Sequence, residues 1–351
     1  MSATISTPVT ELFGIKHPVV LAGMDRAAGS DLAAAVTNAG GLGVIGGYGF
    51  TPNGLRTIIR DIKGQMKDPN GPFGVDLLIP QVGGNARKTN ADYTKGQLPA
   101  LLDVIIEEKA KLFVCAIGVP PKWAVEKLHA AGILVMNMVG HPKHVPKAIA
   151  SGVDLICAQA GEGGGHTGEI PASILVPACV DAARGHTSPL TGKPIYVLGA
   201  GAIYDGRGLA ANLCWGAQAV WVGTRFVASE ESCAARIHKE LLVSAGLDGM
   251  IRTEAFSGRP VRLRRTLYYD DWEQNRKEEM KSLVSQGIVP RSHDLELHPE
   301  KLQESQPYAM GLVAALIRDI LPAKTIVENM VLDAAAILQE RSANIKLQAK
   351  L

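Results

Sequence analysis

The chain alternates short apolar runs with segments whose apolar residues recur at helical spacing. The helical patterns close on glycine, as in SDLAAAVTNAG and PKWAVEKLHAAG. Near-continuous apolar strands followed by helices are typical of a parallel sheet that is buried on both faces. Eight runs fit such strands, and they span residues 18–23, 41–47, 73–80, 112–118, 134–140, 155–160, 195–201 and 219–226.

Eight strand–helix units predict an α/β fold of the TIM (β/α)8 barrel type with an appended, mostly helical C-terminal segment. A doubly wound open sheet would also explain the alternation, but eight regular units favour closure. We assign residues 1–230 to the barrel and 231–351 to the appended segment, where the pattern over 310–340 predicts closing helices. Polar stretches at 81–97 and 251–280 are long enough to act as loops over an active site.

Composition narrows the class of protein. The net charge is +2 with 46% hydrophobic residues, which gives no electrostatic reason to expect nucleic acid or a membrane surface as partner. Five cysteines without CxxC spacing predict reduced core thiols in a cytoplasmic protein. We find no signal-peptide pattern at the N-terminus and no apolar run long enough to span a membrane. The C-terminal Ala349-Lys350-Leu351 resembles a peroxisomal address, which would apply only in a eukaryote.

The ends of the last two strands carry the clearest chemical signal. LGAGAIYDGRG and VGTRF follow strands seven and eight, where barrels often bind phosphate through backbone N–H groups and a helix N-terminus. We therefore expect Gly201, Gly223 and Thr224 at a phosphate, although glycines that only make tight turns are the alternative. The sequence has no Walker motif, no spacing of metal ligands and no Schiff-base lysine at a strand end, so we predict no metal site.

A phosphate site without those motifs suggests a cofactor that carries its own reactive ring, and flavin mononucleotide (FMN) fits. The ring wall would then be the end of the first strand, with two polar side chains facing the ring's polar edge. The predicted wall is Ala22, Gly23 and Met24, and the predicted polar pair is Asp76 and Gln159.

A histidine follows a run of glycines in CAQAGEGGGHTG, residues 157–168. A neutral imidazole, with an ordinary pKa of about 6.5, can accept a substrate proton or bind a developing anion. We assign that function to His166, with a structural histidine as the alternative and His141 in reserve. The basic run 258–265 is expected to be salt-bridged or solvated, unless Arg259 attracts an anionic substrate to the barrel.

Six segments, in order between residues 14 and 260, resemble the nitronate monooxygenases, and they include LAAAVTNAGGLGVIGG, CAQAGEGGGHTG and AFSGRP. The resemblance implies an FMN-containing barrel that oxidises alkyl nitronates with O2 to a carbonyl compound and nitrite. It implies that His166 is the catalytic base or substrate anchor. It also implies flavin contacts at Asp76, Gln159, Gly164, Gly201, Trp221, Val222, Gly223 and Thr224.

Two positions depart from the pattern of the family, and one of them, Gly163 where many relatives carry Ala, changes only the freedom of the loop. Asp76 stands where many relatives carry Asn, and a carboxylate cannot donate a hydrogen bond unless it is protonated. The contact of Asp76 with the ring is therefore open at this point.

The resemblance does not select one reaction, because similar flavin barrels include NAD(P)H-dependent quinone and enoyl-thioester reductases. The absence of a Rossmann fingerprint discriminates poorly, while AFSGRP favours the monooxygenase. A third alternative is a barrel that binds a phosphorylated metabolite without flavin. We expect a nitronate or nitroalkane and O2 as partners, no nucleic acid and no membrane, and we leave monomer and homodimer open.

Overall fold

The computed structural model describes residues 3–345. Its parallel strands are β1 (Val19–Leu21), β2 (Gly43–Gly47), β3 (Phe73–Leu78), β4 (Leu112–Ala116), β5 (Leu134–Val139), β6 (Leu155–Gln159), β8 (Tyr196–Ala200) and β9 (Ala219–Val222), with a short β7 (Gly165–His166) outside their sheet. The eight strands are hydrogen-bonded in the order β1-β9-β8-β6-β5-β4-β3-β2, and a parallel bridge between Val20 and Leu42 joins the first strand of this order to the last. The sheet is therefore a barrel, as predicted, and each of its strands lies in one of the eight predicted runs.

Helices surround the barrel in the order that the sequence predicts. Four helices that were predicted to close on glycine are followed by Gly40, Gly132, Gly152 and Gly216, all with positive φ. The first half contains α1 (Pro8–Phe13), α2 (Ser30–Asn38), α3 (Pro52–Gln65), α4 (Leu98–Glu107), α5 (Lys122–Ala130), α6 (Val145–Ala150), α7 (Ala172–Ala183) and α8 (Gly206–Cys214). The second half contains α9 (Thr224–Val227), α10 (Arg236–Val243), α11 (Leu267–Gln274), α12 (Lys277–Gln286), α13 (Pro290–Leu297) and α14 (Ala323–Ala343).

Strand alternation sorts side chains between two apolar layers. On β3, Phe73, Val75 and Leu77 pack in the outer layer against the helices, so Asp76 between them faces the barrel interior. The interior is filled mainly by small and aliphatic residues together with Trp221, and α1 adds Val9 and Phe13 to it. This packed core leaves the C-terminal ends of the strands as the place for a site.

The last helix of the appended segment, α14, packs against the helices that surround the barrel. Ile326, Val327 and Met330 of α14 belong to the same apolar layer as the barrel helices, and α14 packs on α8 and α2. It takes the position of the eighth outer helix, since α9 has only four residues. The division at residue 230 stays a prediction, but one helix of the second part completes the ring of the first.

Two parts of that segment differ from the sequence prediction. Residues 251–280 are not one long loop, because β10 (Met250–Thr253) and β11 (Val261–Arg264) form an antiparallel pair whose third strand is β7. Alternating buried and half-buried residues in VRLR are a strand signal inside that polar stretch. The predicted closing helices begin only at Ala323, since residues 312–316 form a 3-10 helix.

Three further findings concern the composition-based predictions. Cys115, Cys157 and Cys179 are buried free thiols, but Cys214 and Cys233 are exposed, so the core assignment is wrong for those two. Within residues 3–345, no helix has the length and apolarity needed to cross a membrane. The C-terminal tripeptide Ala349-Lys350-Leu351 lies outside the described residues.

Candidate active site

The glycine-rich strand ends meet at one place on the C-terminal face of the barrel. A methyl group built on Gly201 would lie 3.3 Å from the Gly163 nitrogen, and one on Gly164 would lie 2.7 Å from the Gly311 nitrogen. The Gly311 N–H in turn donates a 2.9 Å hydrogen bond to Thr224 Oγ1. The segments that follow β6 and β8 thus approach each other closely, as only residues without side chains allow, and Gly311 links the β6 loop to Thr224 after β9.

Two features of the region around Gly201 and Thr224 suit the binding of an anion. Gly201 and Ala202 both have positive φ, 92° and 58°, so the backbone turns directly after β8. Successive backbone N–H groups in a turn can line an anion site. Thr224 is the first residue of α9, and its hydroxyl proton remains available because Oγ1 accepts from Gly311. Of the three predicted phosphate contacts, Gly201 lies in this turn, and Gly223 and Thr224 lie at the start of α9, where a phosphate could be held.

The segment Met310–Leu312 also contributes to this place, which the sequence prediction missed. Besides the Gly311 bond, the Leu312 N–H donates to the Glu162 carbonyl at 2.9 Å. We read these residues as part of a helix, although the isolated glycine in MGLVAAL is a signal for close backbone approach. The segment fixes the glycine-rich loop after β6 against the start of α9.

We call the donors around Gly201 and Thr224 the phosphate cradle. The predicted ring wall lies beside this cradle. A methyl group on Gly223 would lie 3.4 Å from both Ala22 Cβ and Met24 Sδ, so the ends of β1 and β9 are in contact there. In the segment after β1, a methyl group on Gly23 would lie 2.7 Å from Asp76 Oδ2. The predicted wall and the carboxyl group of Asp76 therefore adjoin.

The side chains of the other predicted flavin contacts, Trp221, Gln159 and Val222, point in different directions. Trp221 faces the barrel interior, and the Gln159 amide nitrogen is 3.3 Å from a methyl position on Gly163, beside the cradle. Val222 packs in the outer layer against the helices, since neighbouring residues of a strand face opposite ways. Only the backbone of Val222 is therefore available to a ligand in the barrel, and the predicted contact at this position stays a prediction.

Asp76 is an isolated buried carboxyl group. Its side chain lies in the apolar interior with the residue 4% exposed, and Oδ1 has no hydrogen-bond partner among the described residues. Burial raises its pKa to about 8. A buried polar atom without a partner is costly in a folded protein, and it is a common mark of a ligand position.

His166 lies at the rim of the barrel on β7, and the C-terminal segment holds it there. Its strand pairs with β11 through Val261, and its Nε2 is 2.9 Å from Ser257 Oγ. Burial, together with the positive charge of Arg259, lowers the pKa of His166 to about 4. The imidazole is therefore neutral near pH 7, as predicted.

The contacts of Ser257 indicate which nitrogen of His166 carries the proton. The Ser257 hydroxyl lies 3.4 Å from the Arg259 carbonyl and can donate to it. It then accepts from an Nε2–H of His166, because a hydroxyl has one proton to give. This arrangement leaves the lone pair of His166 on Nδ1. Ser257 lies in the AFSGRP segment that carried the resemblance, but no role for it was predicted from the sequence.

The glycine-rich loop before His166 is fixed by polar contacts. The carboxylate of Glu162 accepts from the Ala172 N–H at the start of α7, at 3.1 Å from each oxygen. Arg262 donates to the Gly161 carbonyl at 2.9 Å, and the Thr167 hydroxyl donates to the Ala160 carbonyl at 2.8 Å. Although the loop is rich in glycine, its hydrogen bonds with Ala172, Arg262 and Thr167 therefore hold its backbone in place.

The two long polar stretches meet next to this rim. Arg259 donates to Asn90 Oδ1 at 2.6 Å, and the Thr89 hydroxyl donates to the Gly258 carbonyl at 3.2 Å. Arg259 has no carboxylate partner among the described residues, whereas the nearby Arg87 pairs with Glu254. An unneutralised guanidinium therefore lies beside His166, consistent with the attraction of an anion. The reserve candidate His141 instead accepts from the Lys143 N–H of its own turn.

Replacing Ser257 by Ala tests the assigned tautomer. Loss of one neutral hydrogen bond of about 1 kcal/mol should lower turnover by about fivefold and release Nε2 from its partner. We expect the pH profile of kcat/KM to shift, while cofactor content stays unchanged. Ser285→Ala, on the exposed face of α12, is a matched control. A Ser257→Ala variant with the parent rate and pH profile would exclude this role.

Comparisons with known proteins agree with this geometry. The family profile described as nitronate monooxygenase matches residues 6–333. The (3aS,4S,5R,7aS)-5-hydroxy-7a-methyl-1-oxo-octahydro-1H-indene-4-carboxyl-CoA dehydrogenase of Mycobacterium tuberculosis is 32% identical, over 97% of this chain and 99% of its own. The nitronate monooxygenase of Pseudomonas aeruginosa is 32% identical, over 74% and 80%.

Among solved structures, the nitroalkane oxidase from Streptomyces ansochromogenes has a TM-score of 0.78 and 25% identity. It covers 95% of this chain and 99% of its own, so full-length similarity is not confined to the CoA dehydrogenase. Together with the profile match, these similarities show that the chain belongs to the nitronate monooxygenase family, a family of flavin-dependent oxidoreductases.

Proposed function

We propose that this protein is an FMN-dependent oxidoreductase that converts alkyl nitronates and O2 into a carbonyl compound and nitrite. The observation that carries the proposal is the pair at the rim. A neutral His166 lies next to Arg259, a cation that no described carboxylate neutralises. Such a pair suits a small anionic substrate.

The residues at the barrel mouth fit a flavin. Gly201, Gly223 and Thr224 would hold the phosphate through backbone and hydroxyl donors, and Gly164 lets the backbone of Gly311 pack against the loop beside them. Ala22, Gly23 and Met24 would form the wall along the ring, above Trp221 and the backbone of Val222. Asp76, with its unpartnered Oδ1, and Gln159 would face the polar edge. A bound flavin supplies the electron acceptor for the substrate and the reductant for O2.

The electrostatics of the rim favour a nitronate over a neutral nitroalkane. A base with a pKa of about 4 is weak at pH 7, so removal of a carbon-bound proton by His166 would be inefficient. An anion that enters beside Arg259 offsets the guanidinium charge and raises the pKa of His166. Nδ1 can then take up a proton and donate a hydrogen bond to the nitronate oxygen. His166 acts in this account as the substrate anchor.

Arg259→Met isolates the charge of the guanidinium. We expect the KM for an anionic nitronate to rise by about tenfold, roughly the 1.4 kcal/mol of one favourable charge contact. With the cation removed, the pKa of His166 should rise, and the acidic limb of the pH profile should move up with it. Arg236→Met, on an exposed face of α10, keeps the same change of charge away from the rim. An unchanged KM in Arg259→Met would exclude anion recognition by this residue.

Cofactor identity is tested first. The purified full-length protein should be yellow, and the flavin released from it should be FMN. Protein that is colourless and takes up no FMN on incubation would contradict the proposal and would favour a barrel that binds a phosphorylated metabolite.

A second candidate is the oxidation or reduction of an acyl-CoA-type thioester. The full-length similarity to a carboxyl-CoA dehydrogenase favours it. A groove of about 380 Å³ also opens beside Gly201 and is bordered by Tyr204, Arg207, Trp215 and Leu316, large enough for part of a nucleotide. We rank this candidate second because Arg207 is already paired with Asp205 and because the rim pair suits a compact anion. Reduction of the bound flavin by a thioester or by NAD(P)H, but not by a nitronate, would reverse the ranking.

A further inference from the structure

Among the described residues, Asp76 is the one carboxyl group in the barrel interior that has neither a hydrogen-bond donor on Oδ1 nor a positively charged partner. It faces inward from β3 between outward-facing Val75 and Leu77, and its Oδ1 has neither a donor nor solvent access. Gly23, directly after β1, and Gly46 on β2 adjoin it: methyl groups on them would lie 2.5 Å and 3.2 Å from Asp76 Cβ. The neighbouring strands thus leave room for this side chain but no partner.

The charges around Asp76 do not stabilise a carboxylate. Two thiols are coupled electrostatically to Asp76, that of Cys157 on β6, which faces the interior, and that of Cys115 on β4, which packs in the outer layer. Burial raises the pKa of both. Asp25 follows β1 at the same end of the barrel, and its side chain is 44% exposed. Nothing positive among the described residues lowers the pKa of Asp76, which burial alone raises to about 8.

We propose that Asp76 is a neutral carboxylic acid in the folded protein and that it donates a hydrogen bond to the polar edge of the flavin ring. A protonated carboxyl group has one O–H donor and keeps its acceptor capacity, so it can both donate to and accept from the edge of the ring. This donor depends on pH, because it is lost when the carboxyl group ionises. The donor role rests on the proposed flavin function, whereas the protonation of Asp76 does not.

The protonation is tested in the full-length protein without flavin. The carbonyl stretch of a protonated carboxylic acid should be present in the infrared spectrum at pH 7. It should disappear as the pH rises past about 8, and it should be absent from Asp76→Asn. Asp25→Asn, at a half-buried carboxyl of the same end, should keep the band. A spectrum without the band at pH 7, or a band that persists in Asp76→Asn, overturns the proposal.

Folding stability provides a second readout. Between the ordinary pKa of 3.8 and about 8, the unfolded chain releases this proton while the folded protein retains it. The contribution of Asp76 to stability therefore falls as the pH rises through that window and is constant above it. Asp76→Asn should remove this part of the pH dependence. If the variant does not fold, the pH titration of the infrared carbonyl band in the unaltered protein still tests the protonation of Asp76.

Binding of FMN tests the donor role. The affinity of the unaltered protein should fall about tenfold per pH unit above pH 8, because one proton must then be taken up on binding. Asp76→Asn should bind FMN with an affinity that is independent of pH, and Asp25→Asn should behave like the parent. A pH-independent affinity in the parent overturns the donor role. If the band titrates as expected but FMN binds none of these proteins at pH 6, the flavin function fails and the protonation stands.

Discussion

His166→Asn should lose most of its activity towards a nitronate and keep its flavin. Acid–base and hydrogen-bonding side chains at reacting centres contribute about 10²–10⁴-fold to rates, so we expect kcat/KM to fall by at least about 10²-fold. The reason is local: the variant has no Nδ1 lone pair that can be protonated beside Arg259. The cofactor should stay bound, because the phosphate cradle lies at Gly201 and Thr224. Steady-state rates and flavin content measured on the same preparation check both statements.

His141→Asn is the matched control for this substitution. His141 is another histidine after a barrel strand, but its imidazole caps its own turn by accepting from Lys143. It should retain the parent kinetics. Equal activity losses in the two variants, or parent activity in His166→Asn, would remove His166 from the reaction.

Gly201→Val should release the flavin. A valine there must hold φ near 92°, which costs a β-branched L-residue about 1–2 kcal/mol or more, and its Cβ would lie 3.2 Å from Ala160 Cβ. The loop carrying Gly163 would be displaced from the cradle. Since hydrogen bonds to charged groups contribute about 1.5–3 kcal/mol each, loss of one or two should weaken FMN binding by about 10²-fold or more. Fluorescence titration of the protein with FMN measures this.

Gly185→Val separates backbone strain from loss of the cradle. Gly185 also has a left-handed backbone, with φ of 82°, but a methyl group there would meet nothing within 4 Å. This variant should lose comparable stability and keep its FMN. If Gly201→Val binds FMN as tightly as the parent, Gly201 is only a turn residue.

Much of the fold could be predicted from sequence because its signals are local. Each barrel strand is a short apolar run, and helix ends such as Gly132 and Gly152 have the left-handed conformation that glycine permits. The eighth outer helix could not be located this way. Its pattern at 323–343 resembles that of any amphipathic helix, and only packing against α2 and α8 gives it its position.

Some residues of the candidate site could likewise be predicted from local sequence signals, and others depend on long-range contacts. Residues at strand ends, such as Asp76, Gly201 and Thr224, follow from the rule that barrel sites lie at that face. Ser257 and Gly311 do not, because they reach the rim from positions 91 and 87 residues away from their partners His166 and Thr224. Val222 shows a further limit: its place in the run 219–226 does not by itself indicate that its side chain points outward, away from the barrel interior.

Anaerobic mixing of the FMN-loaded protein with propyl-2-nitronate, followed by flavin absorbance, tests the central claim most directly. The account predicts that the nitronate alone bleaches the flavin and that nitrite forms when O2 is admitted. It also predicts that His166→Asn, still yellow, bleaches about 10²-fold more slowly. Rapid bleaching by NADH, NADPH or an acyl-CoA thioester, with no response to the nitronate, would contradict it and would identify a reductase or dehydrogenase on the same barrel.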